Sequence, residues 1–371
     1  MQAVAERPGQ GPTTEPTSIP ELPPLGFRNY WYPVAEWRRV ARRPRAVRVL
    51  GEDLVLFAAN GKPAALVDRC PHRGAQLSRG RVLFPNTLSC PYHGWTYDST
   101  GECRAAIVEG PESRIPGTVR VKAYPSEERF GIVWVFMGEG DPPPLDEDLP
   151  PELLEPGIAT HFAFTNWKCS WRFVADNYPD MCHATFVHRT SIELFFNRLP
   201  AFTRMHLAPL NDGKGLEVGA VALGMGGDYP GLGKFPRHTW WRFLKRRTTS
   251  SNADVRMPGY IVVRLREPFF GFRISNLGWP VPVDENLTRH LNLVVTYPVS
   301  SIQRLAYKAW HQLYFKAVHT RFTGQDRRIL ETQDATAGEH LSATDVGLIQ
   351  WRKLAPRMAR QPATDASNDP R

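Results

Sequence analysis

Two cysteine–histidine pairs set the tightest limit on what this chain can become. Cys70 and His72 stand in CPHRG, Cys90 and His93 stand in CPYHGW, and seventeen residues separate His72 from Cys90. Each half offers one thiolate and one imidazole, so the chain between them must fold back to bring the halves together. Gly74 comes two residues after His72 and Gly94 directly after His93, where a tight loop around a bound group needs a residue without a Cβ. Two thiolates with two imidazoles suit a [2Fe-2S] cluster, the cysteines on one iron and the histidines on the other. Neutral imidazoles raise the potential of such a centre to between about −150 and +300 mV, from which electrons can reach ferrous iron and oxygen. The same four ligands also suit a structural zinc ion, and ligand identity alone leaves that reading open.

A second constellation lies at 177–188, NYPDMCHATFVH, where Asn177, Asp180, His183 and His188 crowd into one short stretch. Asp180 and His183 are three residues apart, which predicts a shared helix face and a hydrogen bond between them. His188 lies past one further turn, so both imidazoles meet one metal if the helix bends after His183. A histidine is ordinarily a core or surface side chain. Here the neighbouring carboxylate and the upstream pairs favour a metal. Two histidines with a carboxylate from elsewhere form the facial triad of non-haem Fe(II) oxygenases, with positions left for dioxygen and substrate. The distant segment GQDRRILETQD offers Asp326 and Asp334, both at helical positions.

Together these motifs resemble the Rieske non-haem iron oxygenases, specifically their α-type oxygenase subunit. CPHRG with CPYHGW is similar to the Rieske motif in spacing and flanking residues, and NxxDxxHxxxxH at 177–188 to the mononuclear-iron motif. NYWYPVAEW at 29–37 and SATDVGLIQWRKL at 342–354 resemble the branch containing vanillate O-demethylase-like and pheophorbide a oxygenase-like enzymes. The likeness covers roughly residues 27 to 355. It implies an α+β chain, a β-rich Rieske domain followed by a helix-grip, START-like catalytic domain around an antiparallel sheet. It implies iron on His183, His188 and Asp326, because Asp326 follows a Gln and has Glu331 five residues on, while Asp334 reads as a solvated charge. It gives Asp180 a bridging role between His183 and His93 of a neighbouring subunit, since the two centres of one chain are too far apart for useful electron transfer. A head-to-tail homotrimer follows, and Asn177 lies near the iron without being a strong ligand.

The implied activity is that of a terminal oxygenase taking electrons from an external reductase or ferredoxin, because the chain carries no flavin or nicotinamide motif. It would hydroxylate or oxidatively dealkylate an organic, aromatic or cyclic substrate with O2. The branch favours monooxygenation over cis-dihydroxylation. The rivals are a Rieske electron-transfer protein with an idle second site and a zinc-stabilised interaction module.

The rest of the chain fits this division. Its 371 residues, 42% apolar and 11% aromatic, allow two or three domains with ordinary cores. Residues 1–26 are rich in Pro, Glu, Thr and Gly and predict a disordered tail. A Rieske domain is expected over 27–140, where short β-type runs break at Gly51 and Asn60-Gly61. A Pro-rich linker follows at 141–157, then the catalytic domain at 158–355 and a flexible C-terminus at 356–371. YIVVRL at 260–265 and HLNLVVTYPV at 290–299 read as antiparallel strands. Leu305, Trp310, Leu313, Phe315, Val318 and Phe322 keep helical spacing over 301–334. Phe195, Phe196, Trp240 and Trp241 either line a substrate pocket or fill the core.

Five cysteines without framework spacing suit a reducing compartment; Cys103, Cys169 and Cys182 carry no assigned chemistry. The N-terminus lacks the apolar core of a signal peptide, and no run reaches eighteen apolar residues, so a cytoplasmic protein without membrane contact is expected. Net charge is +9, and the basic run at 37–48 offers a docking face for an acidic electron donor, although such runs are often merely solvated. No aromatics interleave with it to stack bases, so nucleic acid is not expected. GMGGDYPGLGK at 224–234 fails as a phosphate loop, with Asp228 and Phe235 where Gly and Ser or Thr are needed.

Overall fold

The computed structural model describes residues 20–188, 202–224, 228–229, 233–234, 251–266, 273–298, 300–303, 305–307 and 320–361. Phe195, Phe196, Trp240, Trp241, Trp310, Leu313, Phe315 and Val318 lie outside the described residues.

The N-terminal half contains β1 (Trp31–Glu36), α1 (Trp37–Val40), β2 (Arg45–Val49), β3 (Glu52–Ala59), β4 (Lys62–Val67), β5 (Leu88–Ser89), β6 (Trp95–Tyr97), β7 (Cys103–Ala106), β8 (Ala123–Tyr124), β9 (Ser126–Arg129) and β10 (Ile132–Phe136). They pair as three antiparallel sheets, β1-β10-β9, β2-β3-β4-β8 and β5-β6-β7. Leu50 and Gly51 (φ 49° and 80°) turn β2 into β3, and Asn60 and Gly61 (φ 52° and 72°) turn β3 into β4. Two successive residues with positive φ make the short turn whose twist matches the strands on either side. Strand β3 is buried on both faces, and its period-two alternation feeds two cores. Leu54 and Leu56 enter a large core shared with the second half. Val55 and Phe57 enter a smaller one that also holds Cys70, Cys90 and Tyr97.

The second half contains α2 (Pro151–Leu154), β11 (Ala159–Trp167), α3 (Trp171–Asn177), α4 (Ala184–Val187), β12 (Phe202–Pro209), β13 (Gly215–Gly224), β14 (Asp228–Tyr229), β15 (Gly233–Lys234), β16 (Ser251–Arg256), β17 (Tyr260–Arg266), β18 (Arg273–Asp284), β19 (Leu287–Thr296), α5 (Thr320–Leu330) and α6 (Val346–Met358). Seven strands form one antiparallel sheet in the order β11-β19-β18-β17-β16-β13-β12, and β14 pairs with β15. Helix α3 packs on β18, α6 packs on β12 and β13, and the two helices touch. The molecule is thus α+β with an antiparallel catalytic sheet, as the sequence implies. No helix among the described residues is long and apolar enough to cross a membrane.

The halves share one core. Trp134 of β10 meets Trp279 of β18 edge-on with ring centroids 5.1 Å apart, and Tyr260 stacks on Trp279 at 3.9 Å. The β2–β3 turn docks on the far end of β18, with Leu50 N–H donating to Pro282 O at 2.8 Å and Gly51 N–H to Val283 O at 3.1 Å.

Three expectations of loose chain need correction. Leu22 is buried, and Pro23 O accepts the Trp171 indole N–H at 2.8 Å, so the packed fold reaches back into the expected tail. The segment 141–157 is no loose linker. Leu145, Leu149 and Leu153 recur every four residues and are buried, a helical spacing that the prolines obscure. Beyond residue 355, α6 continues to Met358, and Arg360 pairs with buried Asp148 at 2.7 Å. Among the described helical residues of 301–334, α5 stops at Leu330, so Asp334 lies beyond its end rather than on a helix.

Truncating Trp279→Ala removes the side chain against which both halves pack. It should lower unfolding stability by about 3–5 kcal/mol, whereas Val108→Ala, at 73% exposure, should change it by less than about 0.5 kcal/mol. Denaturant titration followed by circular dichroism checks both.

Candidate functional site

The two cysteine–histidine loops are near copies of each other. Cys70 N–H donates to Ala75 O and Gly74 N–H to Cys70 O, both at 2.8 Å; Cys90 N–H donates to Trp95 O at 2.8 Å and Gly94 N–H to Cys90 O at 3.1 Å. Gly74 and Gly94 both have positive φ, 71° and 69°, and a Cβ on Gly94 would stand 2.9 Å from Cβ of Ile107. Each loop therefore closes in five residues and presents its cysteine inward and its histidine outward. Cys70 and Cys90 are buried, while His72 is exposed and His93 half-buried. The two imidazoles lie 4.6 Å apart, with His72 stacked on Trp95. Tyr97 OH sits 3.1 Å from Cys70 Sγ, and a phenol there donates to the sulfur once it is a thiolate.

The four donors suit a group larger than one ion. Among the described residues, the one set of three or more such donors lying within 4.8 Å of one another is His183, His188 and Asp326. A tetrahedral zinc ion needs ligands about 2.0–2.3 Å from the metal, hence about 4 Å or less from each other. Cys70, His72, Cys90 and His93 do not provide this. Two buried sulfurs on one side and two imidazoles on the other fit a diiron cluster instead.

The second centre is built by a broken helix. Pro179 has no N–H with which to continue the helical ladder, and α3 ends at Asn177 although Tyr178 keeps helical dihedrals. Freed from the helix, the Asp180 carboxylate accepts N–H bonds from Cys182 at 2.8 Å and His183 at 3.3 Å, which starts α4. His183 and His188 then bracket the single turn of α4. The expected Asp180–His183 bond on a shared helix face is replaced by another arrangement. His183 Nδ1 bonds the main-chain oxygen of Asp180, and the Asp180 carboxylate lies 3.6 Å from the ring. Helix α5 delivers Asp326, whose Oδ1 stands 3.1 Å from His188 Nε2 and 3.4 Å from His183 Nε2. That oxygen is buried and makes no hydrogen bond. Three donors thus aim at a common point, which is the arrangement a metal ion requires.

The charges agree. Burial would raise the Asp326 carboxyl, but the two imidazoles hold it at about 2. Burial would lower His183, yet Asp180 and Asp326 lift it to about 10. This balance of charge favours a cation among the three donors.

The structure brings His183, His188 and Asp326 together and leaves Asp334 apart, exposed and bonded to Thr336. Asn177 closes α3 beside this region, without a hydrogen bond to the three donors. Glu331, just past the end of α5, accepts from Lys168 N–H at 2.8 Å and pairs with Arg327 of that helix. All five cysteines are free. Several residues escape the sequence reading. Gln325 Oε1 lies 3.0 Å from His188 Nδ1, and Phe322 stacks on the same ring at 3.7 Å. The helical spacing 322, 325, 326 places all three on one face, a signal visible once Asp326 is chosen. Tyr178 OH bonds His290 Nε2 at 2.6 Å, and buried Arg352 clasps Asp176 of α3 at 2.6 Å; their long sequence separations gave no local cue.

Comparison with known proteins agrees with both centres. Residues 30–125 match the Rieske [2Fe-2S] domain, and residues 167–361 match the vanillate O-demethylase oxygenase C-terminal domain. The terminal oxygenase component of carbazole 1,9a-dioxygenase from a Sphingomonas species is 31% identical, covering 91% of this chain and 93% of that protein. The solved terminal oxygenase of carbazole 1,9a-dioxygenase from Novosphingobium sp. KA1 superposes with a TM-score of 0.77 at 28% identity, covering 92% of this chain and 95% of that one. A reduced complex between oxygenase and ferredoxin in carbazole 1,9a-dioxygenase gives 0.74 at 26% identity and 92% coverage of each chain. Two centres with the right donor chemistry, on a fold shared nearly end to end, place this chain among the Rieske non-haem iron oxygenases, as a terminal oxygenase component with a Rieske [2Fe-2S] cluster and a mononuclear iron.

Proposed function

We propose that this oxygenase hydroxylates or oxidatively dealkylates an aromatic or cyclic organic substrate. The observation that carries the reading is the convergence of His183, His188 and Asp326 on one point within a chain that also holds a Rieske domain. In this reading His183, His188 and Asp326 hold the mononuclear iron, and Cys70, His72, Cys90 and His93 hold the cluster. When bound, the cluster supplies single electrons and the iron supplies the activation of dioxygen. The protein's part is positional. Substrate, O2, two electrons and two protons give an oxygenated product and water; His183, His188 and Asp326 would hold the iron by three protein donors, a set that suits oxygen-activating Fe(II).

The electrons come from an external reductase, through a ferredoxin. The solved relative with ferredoxin bound supports this, as does the outward placement of His72, which leaves that edge of the cluster open to a donor. Asp180 takes the bridging role. Its side chain is 26% exposed beside His183, so the carboxylate can meet His93 of a second copy in a head-to-tail homotrimer. Asn177 completes the surroundings of the iron. Five free cysteines support a cytoplasmic setting.

Incorporation of both oxygen atoms is the second reading, favoured because the relatives matched nearly end to end are dioxygenases. Turnover under 18O2 separates the two: one labelled atom per product supports monooxygenation, and two labelled atoms support cis-dihydroxylation.

Protein prepared without oxygen should hold about three irons and two sulfides per chain, with a Rieske-type EPR signal after dithionite reduction. Asp326→Ala should fall to about two irons with that signal unchanged; a third iron retained would overturn the ligand assignment. Asp180→Asn should keep all three irons yet slow substrate-dependent reoxidation of the cluster at least about tenfold. Reoxidation at the parent rate in stopped-flow absorbance would remove Asp180 from the electron route.

A further inference from the structure

We infer that Gln325 is the positioning residue for His188, fixing the tautomer and ring angle that present its Nε2 to the metal; the inference rests on His188 being an iron ligand. Both histidines of the centre turn Nε2 toward Asp326, at 3.1 Å for His188 and 3.4 Å for His183. A nitrogen that binds a metal must be unprotonated, so the other ring nitrogen carries the proton and must donate it. His183 satisfies this requirement through the main chain, with Nδ1 on the carbonyl of Asp180. His188 satisfies it through a side chain, with Nδ1–H on Gln325 Oε1 at 3.0 Å. The amide orientation follows from the same logic, because only the carbonyl oxygen of Gln325 accepts.

The location strengthens the inference. Gln325 is the residue before Asp326, on helix α5, and Phe322 stacks on the His188 ring from the same helix at 3.7 Å and 15°. One face of α5 therefore supplies the carboxylate ligand, the acceptor that orients a histidine ligand and the surface on which that histidine lies. His188 itself is buried, so no bulk water replaces the acceptor once it is lost. Loss of the acceptor leaves Nδ1–H unpaired and lets the ring rotate or change tautomer, which withdraws Nε2 from the metal.

The test compares Gln325→Met, which keeps volume and length without an acceptor, with Gln325→Glu, which keeps the acceptor at the same reach. Full-length protein with its cluster intact is stripped of mononuclear iron without oxygen. Fe(II) affinity is then measured by anaerobic equilibrium dialysis, and Fe(II) release by transfer to a chelator. Gln325→Met should weaken binding about 10- to 100-fold, while Gln325→Glu should stay within about threefold of the parent. Rescue by glutamate is an outcome that a packing role does not produce. Gln325→Asn, whose amide falls one methylene short, replaces the methionine variant if that variant loses its cluster absorbance, and should show the same loss. Parent-like binding in the methionine or asparagine variant overturns the inference, as does a glutamate variant as weak as methionine. Failure of the underlying reading shows separately, as a His188→Ala protein that keeps its mononuclear iron.

Discussion

A single buried carboxylate obliges four distant segments to meet. Asp148 is almost fully enclosed, and burial pushes its carboxyl up even though Trp31 N–H and Arg360 pull it down. A buried charge is tolerated only when paired and hydrogen-bonded, so its partners are a condition of folding rather than an ornament. Trp31 N–H of β1 donates to it at 2.9 Å, Arg360 from the C-terminal end pairs with it at 2.7 Å, and the Tyr260 hydroxyl of β17 donates to its main-chain oxygen at 3.2 Å. The first strand of one half, the connecting segment, the catalytic sheet and the chain's far end close on one residue. The tryptophans of the shared core then pack around that closure.

Within this frame the metal centre depends on interrupting regular structure. An unbroken helix over 177–188 would place His183 and His188 on different faces, five residues and nearly one and a half turns apart. Pro179 stops α3, Asp180 restarts the chain as α4, and the two histidines become the ends of a single turn. Regular structure supplies the third donor. Helix α5 is anchored by buried Leu330, and the clasp between Arg352 and Asp176 holds α6 against α3 from the other side.

Much of this was legible in the chain itself. Motifs with fixed spacing, such as CPHRG with CPYHGW, act through local loops, so their geometry follows from a few residues and their glycines. Short apolar runs rich in β-branched residues marked β3, β17 and β19, because strand preference is a local property. The segments misread were those where composition hid a few decisive apolar positions: Leu22 within a polar tail, and Leu145, Leu149 and Leu153 among prolines. The bend in 177–188 was expected after His183, whereas Pro179 places the break before Asp180. The Tyr178–His290 pair went unseen because its role exists only across the fold, where sequence separation erases any pattern.

The docking of the β2–β3 turn on β18 bears on how electrons travel. Leu50 and Gly51 hydrogen-bond the main chain of Pro282 and Val283, while Trp134 and Trp279 fill the seam between the halves. An electron-carrying domain fastened at two such points cannot swing on a tether to approach an acceptor. The gap between the two centres of one chain is then a constant of the architecture. Swinging of one half toward the other, the device of mobile redox carriers, is closed to this architecture.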